Sequence, residues 1–94
     1  YKVYDLSSLN HLTLSLTELY PQKATTGHFH SDADEVYFFI DGEGIMEIGE
    51  KKFSAKGGDV VLVPAGDFHK VYNNNGEKTF SFWTVFEKYS GRGK

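Results

Sequence analysis

Leu12-Thr13-Leu14-Ser15-Leu16-Thr17 alternates apolar and polar residues without a break. Successive side chains on a strand point to opposite faces, so this pattern describes a strand with one buried face. Outward from it the punctuation is dense. Upstream, residues 2–5 make a short first strand. Downstream, Tyr20-Pro21-Gln22-Lys23 is a turn. Residues 35–40 are rich in aromatic and β-branched side chains and form a strand. Asp41-Gly42-Glu43-Gly44 then suggests a hairpin into a strand at 45–48. Gly49-Glu50 turns into a strand at 51–54, and Lys56-Gly57-Gly58-Asp59 turns again. Val60-Val61-Leu62-Val63 is an apolar run of strand length that Pro64 ends. After Ala65-Gly66-Asp67 comes a strand at 68–72, then Asn73-Asn74-Asn75-Gly76, residues suited to a hairpin. Residues 79–87 alternate once more, and residues 90–94 are a polar tail expected to be mobile. No stretch of ten residues has helical spacing, and residues 7–11 are the one place for a helical turn. Some eight short strands with tight turns predict an all-β fold, a small antiparallel barrel or jelly roll.

The chain has 94 residues, enough for one domain spanning 1–94. A domain of that size buries roughly 60–68% of its unfolded surface. With 10 basic and 13 acidic residues its net charge is −3, which offers no attraction to nucleic acid or to an anionic membrane. There is no cysteine, which excludes disulfides, thiolate zinc sites and thiol catalysis. No apolar run approaches the roughly 20 residues of a spanning helix, and no signal-peptide pattern is visible. A cytoplasmic protein is the expectation.

The chemistry is concentrated in two stretches. Gly27-His28-Phe29-His30-Ser31-Asp32-Ala33-Asp34-Glu35-Val36-Tyr37 holds two histidines at i and i+2, on one face if they lie on a strand. Glu35 heads the next strand, and the stretch from Gly58 to Asn73 contains His69. A lone His-x-His is more often a surface pair. Here three of the four histidines fall within the two patterned stretches, leaving only His11 outside. We therefore expect His28, His30, Glu35 and His69 to hold one divalent transition metal, with Asp32 and Asp34 as solvated loop carboxylates. Three imidazoles and a carboxylate suit Mn, Fe, Ni, Co, Cu or Zn, with one or two positions left for water or substrate.

These residues resemble a known family. His28-x-His30-x4-Glu35-x6-Gly42 and Gly58-x5-Pro64-x-Gly66-x2-His69-x3-Asn73 are similar to the two motifs of the cupin superfamily. One position departs: where the first motif opens with glycine, six residues before His28, this chain has Gln22. A finer similarity, to the cupin-type glucose-6-phosphate isomerases, rests on four segments. They are Thr26-Gly27-His28-x-His30, Glu35-Val36-Tyr37, Gly42-x-Gly44-x-Met46 and the stretch from Gly58 to His69. The resemblance implies a metal-binding barrel, a small-molecule substrate or ligand, and a homodimer formed through the first strands.

Function is expected to be metal-dependent catalysis on a small polar substrate. The first choice is isomerisation of a sugar or sugar phosphate, with Glu35 as the base and Tyr37, on its face, as a hydrogen-bond donor to substrate oxygen. A phosphorylated substrate would want cations, yet strand alternation turns Lys70 away from His69, and the other candidates are Lys78 and Arg92. The alternatives are an iron-dependent dioxygenase, for which Tyr37, Phe39 and Trp83 would supply an aromatic interior, and a non-catalytic sugar-binding module.

Overall fold

The computed structural model of the chain describes residues 2–26 and 34–87. Eight strands account for the regular structure, with no helix among the described residues: β1 (Lys2–Leu6), β2 (Leu12–Leu19), β3 (Glu35–Asp41), β4 (Glu43–Ile48), β5 (Lys51–Lys56), β6 (Val60–Val63), β7 (His69–Tyr72) and β8 (Phe80–Glu87). They form two antiparallel sheets, one of five strands in the order β1-β2-β8-β3-β6 and one of three in the order β5-β4-β7. The fold is all-β, and the core lies between the sheets.

Two expected hairpins are crossovers instead. β3 and β4 lie in different sheets although only Gly42 separates them. Gly42 has φ +90°, and a Cβ there would stand 2.6 Å from the Thr79 carbonyl oxygen. The glycine therefore makes a corner between the sheets. β7 and β8 also belong to different sheets. The Asn73–Gly76 segment carries the chain across, pinned by the buried Asn73 side chain. Its Nδ2 donates to the carbonyls of Leu19 (2.9 Å) and Lys78 (2.7 Å), and its Oδ1 accepts from the Asn75 amide (3.0 Å). A turn-rich sequence marks where a strand ends; it does not say which sheet the next strand joins.

β2 holds the larger surprise. Its alternation is real but its phase is inverted: Thr13, Ser15 and Thr17 are buried, while Leu14 and Leu16 are half-buried on the outer face and Leu12 is exposed. The inward face of the five-stranded sheet can be followed in rows across the ladder. Leu19 pairs with Phe80, and Thr17 with Phe82 beside Phe39. Ser15 pairs with Thr84 beside Tyr37, and Thr13 with Phe86 beside Glu35. The first two rows hold the aromatic core. Phe39 stacks on Phe80 with ring centroids 4.9 Å apart and meets Phe82 at 5.4 Å. Met46 and Val71 close over them from the second sheet. Gly44 permits that closure, because a Cβ there would overlap the Tyr72 carbonyl oxygen and the Phe80 ring. Trp83, expected inside with Tyr37 and Phe39, sits half-buried on the outer face because inward positions on β8 fall at 80, 82, 84 and 86.

Gln22, at the departing motif position, has φ 65°. This is the left-handed region, where glycine is at ease and an L-residue is strained. The turn thus keeps the conformation a glycine would favour.

Candidate functional site

Glu35 and His69 are the first inward residues of β3 and β7, on facing sheets at the end of the barrel away from the aromatic rows. Each is fixed by its own strand. Glu35 lies between Val63 of β6 and Phe86 of β8. Just before it, the Asp34 carboxylate accepts a 2.8 Å hydrogen bond from the Ala65 amide, bracing the start of β3 against the turn after β6. Asp34 is therefore a structural brace as well as an exposed carboxylate. Pro64 stops β6, and Gly66 at φ +89° turns the chain toward His69.

The two side chains meet in the interior. His69 Nε2 lies 3.1 Å from Glu35 Oε2, with side-chain exposures of 1% and 4%. His69 Nδ1 is 3.0 Å from the Asp67 carbonyl oxygen, an acceptor that requires the proton on Nδ1. That contact fixes the ring and directs Nε2 at the carboxylate. Burial pulls the proton affinity of His69 down. The Glu35 hydrogen bond, the Asp67 carbonyl and the charges of Glu35 and Asp67 outweigh it, so the pKa is raised above the ordinary 6.5. In physical terms, a lone pair and a carboxylate aimed at each other away from water need a cation between them. Without metal a proton serves. A divalent metal fits the same demand, since two ligands held at about 2.1 Å and at right angles on one ion lie about 3.0 Å apart. The Tyr37 ring stands edge-on to His69 at 5.9 Å. A cleft of about 320 Å³, lined by Asp34, Glu35, Val36, Leu62, Val63 and Pro64, opens beside Glu35 between the start of β3 and the turn after β6.

Of the expected ligands, Glu35 and His69 come together and Tyr37 shares their face. His28, His30 and Asp32 lie outside the described residues, as do Arg92 and the tail. Among the described residues no three metal-ligating side chains cluster. The chain before the first stretch nevertheless runs along the strand that carries His69. Ala24 bridges Tyr72, the Thr25 amide donates to the Val71 carbonyl at 2.9 Å, and Thr25 Oγ1 accepts from the Val71 amide at 3.0 Å. Lys70 turns outward, its Nζ lying 5.1 Å from the centre of the Tyr72 ring. Sequence reasoning missed the polar wall of Thr13, Ser15 and Thr84 beside Tyr37 and Glu35. The alternation was visible in β2, but it carries no sign of which side faces in.

A two-sheet β-barrel with a buried histidine–carboxylate pair at one end is the class that fold and site define. The Cupin domain family model matches residues 15–86, and the chain belongs to that family. It is 33% identical over 93 residues to a glucose-6-phosphate isomerase of Thermococcus onnurineus, covering 85% of this chain and 49% of that protein. The chain spans about half, or less, of the length of the curated relatives it matches. Among solved structures, a cupin 2 conserved barrel domain protein from Salinispora arenicola superposes with TM-score 0.82 at 21% identity, over 93% of this chain and 75% of that one. A Thermotoga maritima protein described as a predicted oxalate decarboxylase superposes with TM-score 0.71 at 26% identity, over 83% and 65%. One barrel thus carries more than one chemistry, and the fold alone does not choose between them.

Proposed function

We propose that the chain is a divalent-metal-dependent enzyme that interconverts an aldose and a ketose, acting on a small sugar or sugar phosphate. The observation that carries this reading is the buried Glu35–His69 pair, with Nδ1 engaged by the Asp67 carbonyl and Nε2 facing the carboxylate. The similarity to a glucose-6-phosphate isomerase supports the choice of reaction. His28, His30, Glu35 and His69 would hold the metal. When bound, it supplies Lewis-acid polarisation of a substrate oxygen. The protein's own groups do the rest. Glu35 takes a proton from one carbon and returns it to the neighbouring carbon. Tyr37, buried on the same face, donates its hydroxyl to substrate oxygen. In the Tyr37 row the Thr84 hydroxyl gives a polyhydroxylated substrate polar company, while Ser15 Oγ donates to the Asp5 carboxylate at 2.6 Å. The outward turn of Lys70 favours an uncharged sugar over its phosphate.

The test is elemental analysis beside the His69→Ala variant, followed by aldose and aldose-phosphate assays on the reconstituted protein. About one transition metal per chain, lost in the variant, with ketose formed, is the expected result. Metal without ketose removes the isomerase, and oxygen consumption would then select a dioxygenase. No metal after reconstitution, with sugars raising the melting temperature without turnover, would replace the enzyme by a binding module.

A further inference from the structure

The outer face of the three-stranded sheet is striped by its register. Along β4, Glu43, Ile45 and Glu47 alternate with the inward Gly44 and Met46. They meet Lys56, Ser54 and Lys52 on β5. On β7, Tyr72 stands opposite Ile45 and Lys70 opposite Glu47. The middle row, Ser54, Ile45 and Tyr72, is therefore uncharged between two charged rows. One charged row is balanced: Lys56 faces Glu43 across the ladder and lies 3.8 Å from Asp59. The other is not. Lys52 and Lys70 flank the single carboxylate of Glu47, which already accepts the Tyr72 hydroxyl at 2.6 Å. Each lysine Nζ stands 5.1 Å from the centre of the Tyr72 ring.

A cleft of about 460 Å³ lies on the uncharged row, lined by Ile45, Lys52, Phe53, Ser54, Tyr72 and Asn74. Small-molecule sites run from roughly 300 to 1,000 Å³ and combine apolar and aromatic walls with a few polar groups. This lining is of that kind. Ile45 and the rings of Tyr72 and Phe53 supply the apolar part, and Phe53 is 38% exposed although it shares a side of β5 with the buried Ala55. Lys52, the Ser54 hydroxyl and the Asn74 amide supply the polar part. The Tyr72 ring is held at its hydroxyl end by Glu47, so that wall is formed before a ligand arrives. Alternation along β7 turns His69 inward and Tyr72 outward. The cleft is thus on the other side of the sheet from the Glu35–His69 pair, and nothing about it depends on the isomerase reading.

We propose that this cleft is a second binding site, for a small planar aromatic acid. The ring lies on Ile45 against Tyr72 and Phe53, and the carboxylate takes Lys52, with the Ser54 hydroxyl and the Asn74 amide as further donors. Charge decides the occupant. The chain carries a net charge of −3, so two lysines sharing one carboxylate make a local excess of positive charge on an otherwise acidic protein. An anion answers that excess, a neutral sugar leaves it unanswered, and a cationic ring would meet two like charges. The walls decide the rest: aromatic rings add offset or edge-on stacking to the area they bury, which an aliphatic acid cannot use.

The test is a nuclear magnetic resonance titration of the isotope-labelled, unmodified chain with three probes: cinnamate, cinnamyl alcohol (the ring without the charge) and hexanoate (the charge without the ring). Cinnamate should shift the amides of Ile45, Ser54, Tyr72 and Asn74 saturably, with a Kd of about 1 mM or tighter. The alcohol and hexanoate should each bind about fivefold more weakly, the upper end of what one exposed ion pair contributes. Added salt should weaken cinnamate and spare the alcohol. Lys52→Met keeps the aliphatic stem and removes the charge. It should weaken cinnamate about fivefold and leave the alcohol unchanged. Lys52 is exposed, so the variant should fold, which circular dichroism verifies; should it unfold, the three probes on the unmodified chain decide alone. The proposal is overturned if no saturable shift appears at the cleft, or if shifts are confined to inner-face residues such as Tyr37 and Thr84. It is equally overturned if either control probe binds as well as cinnamate, or if folded Lys52→Met binds cinnamate undiminished.

Discussion

Asn73→Ala tests how the two sheets are joined. The side chain is 1% exposed, and its three hydrogen bonds tie the end of β2, the end of β7 and the approach to β8 into one corner. Alanine removes all three, each worth about 1 kcal/mol net. It also leaves the Leu19 and Lys78 carbonyls facing a space too small and apolar to replace them fully, adding about 1 kcal/mol. The expected loss is therefore about 3–4 kcal/mol, a large share of the 5–15 kcal/mol that holds an ordinary domain together. In thermal terms it is a fall of about 15–25 °C in Tm. Asn73→Asp should be at least as damaging, because it puts an anionic oxygen where the amide nitrogen served two carbonyls. Urea unfolding followed by circular dichroism measures both. The site should survive the change, since Asn73 follows the end of β7 opposite His69. Metal content of the folded alanine variant should match the unmodified chain. A loss under 1 kcal/mol, or an aspartate variant as stable as the original, would refute the view that this amide locks the crossover.

Other outcomes follow from the same geometry. Gln22→Gly should raise stability by about 0.5–1 kcal/mol in urea unfolding, because relief of left-handed strain exceeds the entropy glycine gains in the unfolded chain. A decrease would show that the Gln22 side chain, which approaches Gly76, matters more than its backbone. In metal-free protein the raised pKa of His69 sets a direction. The pair's stabilisation is complete below the ordinary value of 6.5 and drains away as pH rises through the raised one. Melting temperature in a chelator should therefore fall across that window, and Glu35→Gln should flatten the profile. The Tyr72 hydroxyl bond to Glu47 is the first cause of its raised pKa. Ultraviolet titration should accordingly show a phenol ionising above the usual tyrosine range that disappears in Tyr72→Phe.

Much of this was legible in the residues, for identifiable reasons. Strand positions could be read because period-2 alternation and Gly, Pro and Asn punctuation are local signals. Glu35, Tyr37 and His69 could be singled out because each opens or continues an apolar strand inside a patterned stretch. What could not be read was non-local. Gly42 and Asn73 looked like hairpin residues, and only the pairing of β3 with β8 and β6, and of β4 with β5 and β7, shows that they turn between sheets. The phase of β2 was hidden because alternation has no sign. Leucines normally decide which side is buried, and here the aromatic rings of β3 and β8 had already filled the interior.

The rows on the inner face also set a length. Residues sharing a face are two apart along a strand, about 6.7 Å at 3.3–3.4 Å each. Inward from the Glu35 row come Ser15, Thr84 and Tyr37 one step down, and Thr17, Phe82 and Phe39 one step further. Under the proposed function, a substrate anchored by one end at the Glu35–His69 pair would have about 7 Å before it meets the aromatic rings. That is the span of a chain of five or six carbons, so the proposed site would measure its substrate as well as bind it. Trading Phe82 for a smaller residue would then lengthen the measure without touching Glu35 or His69.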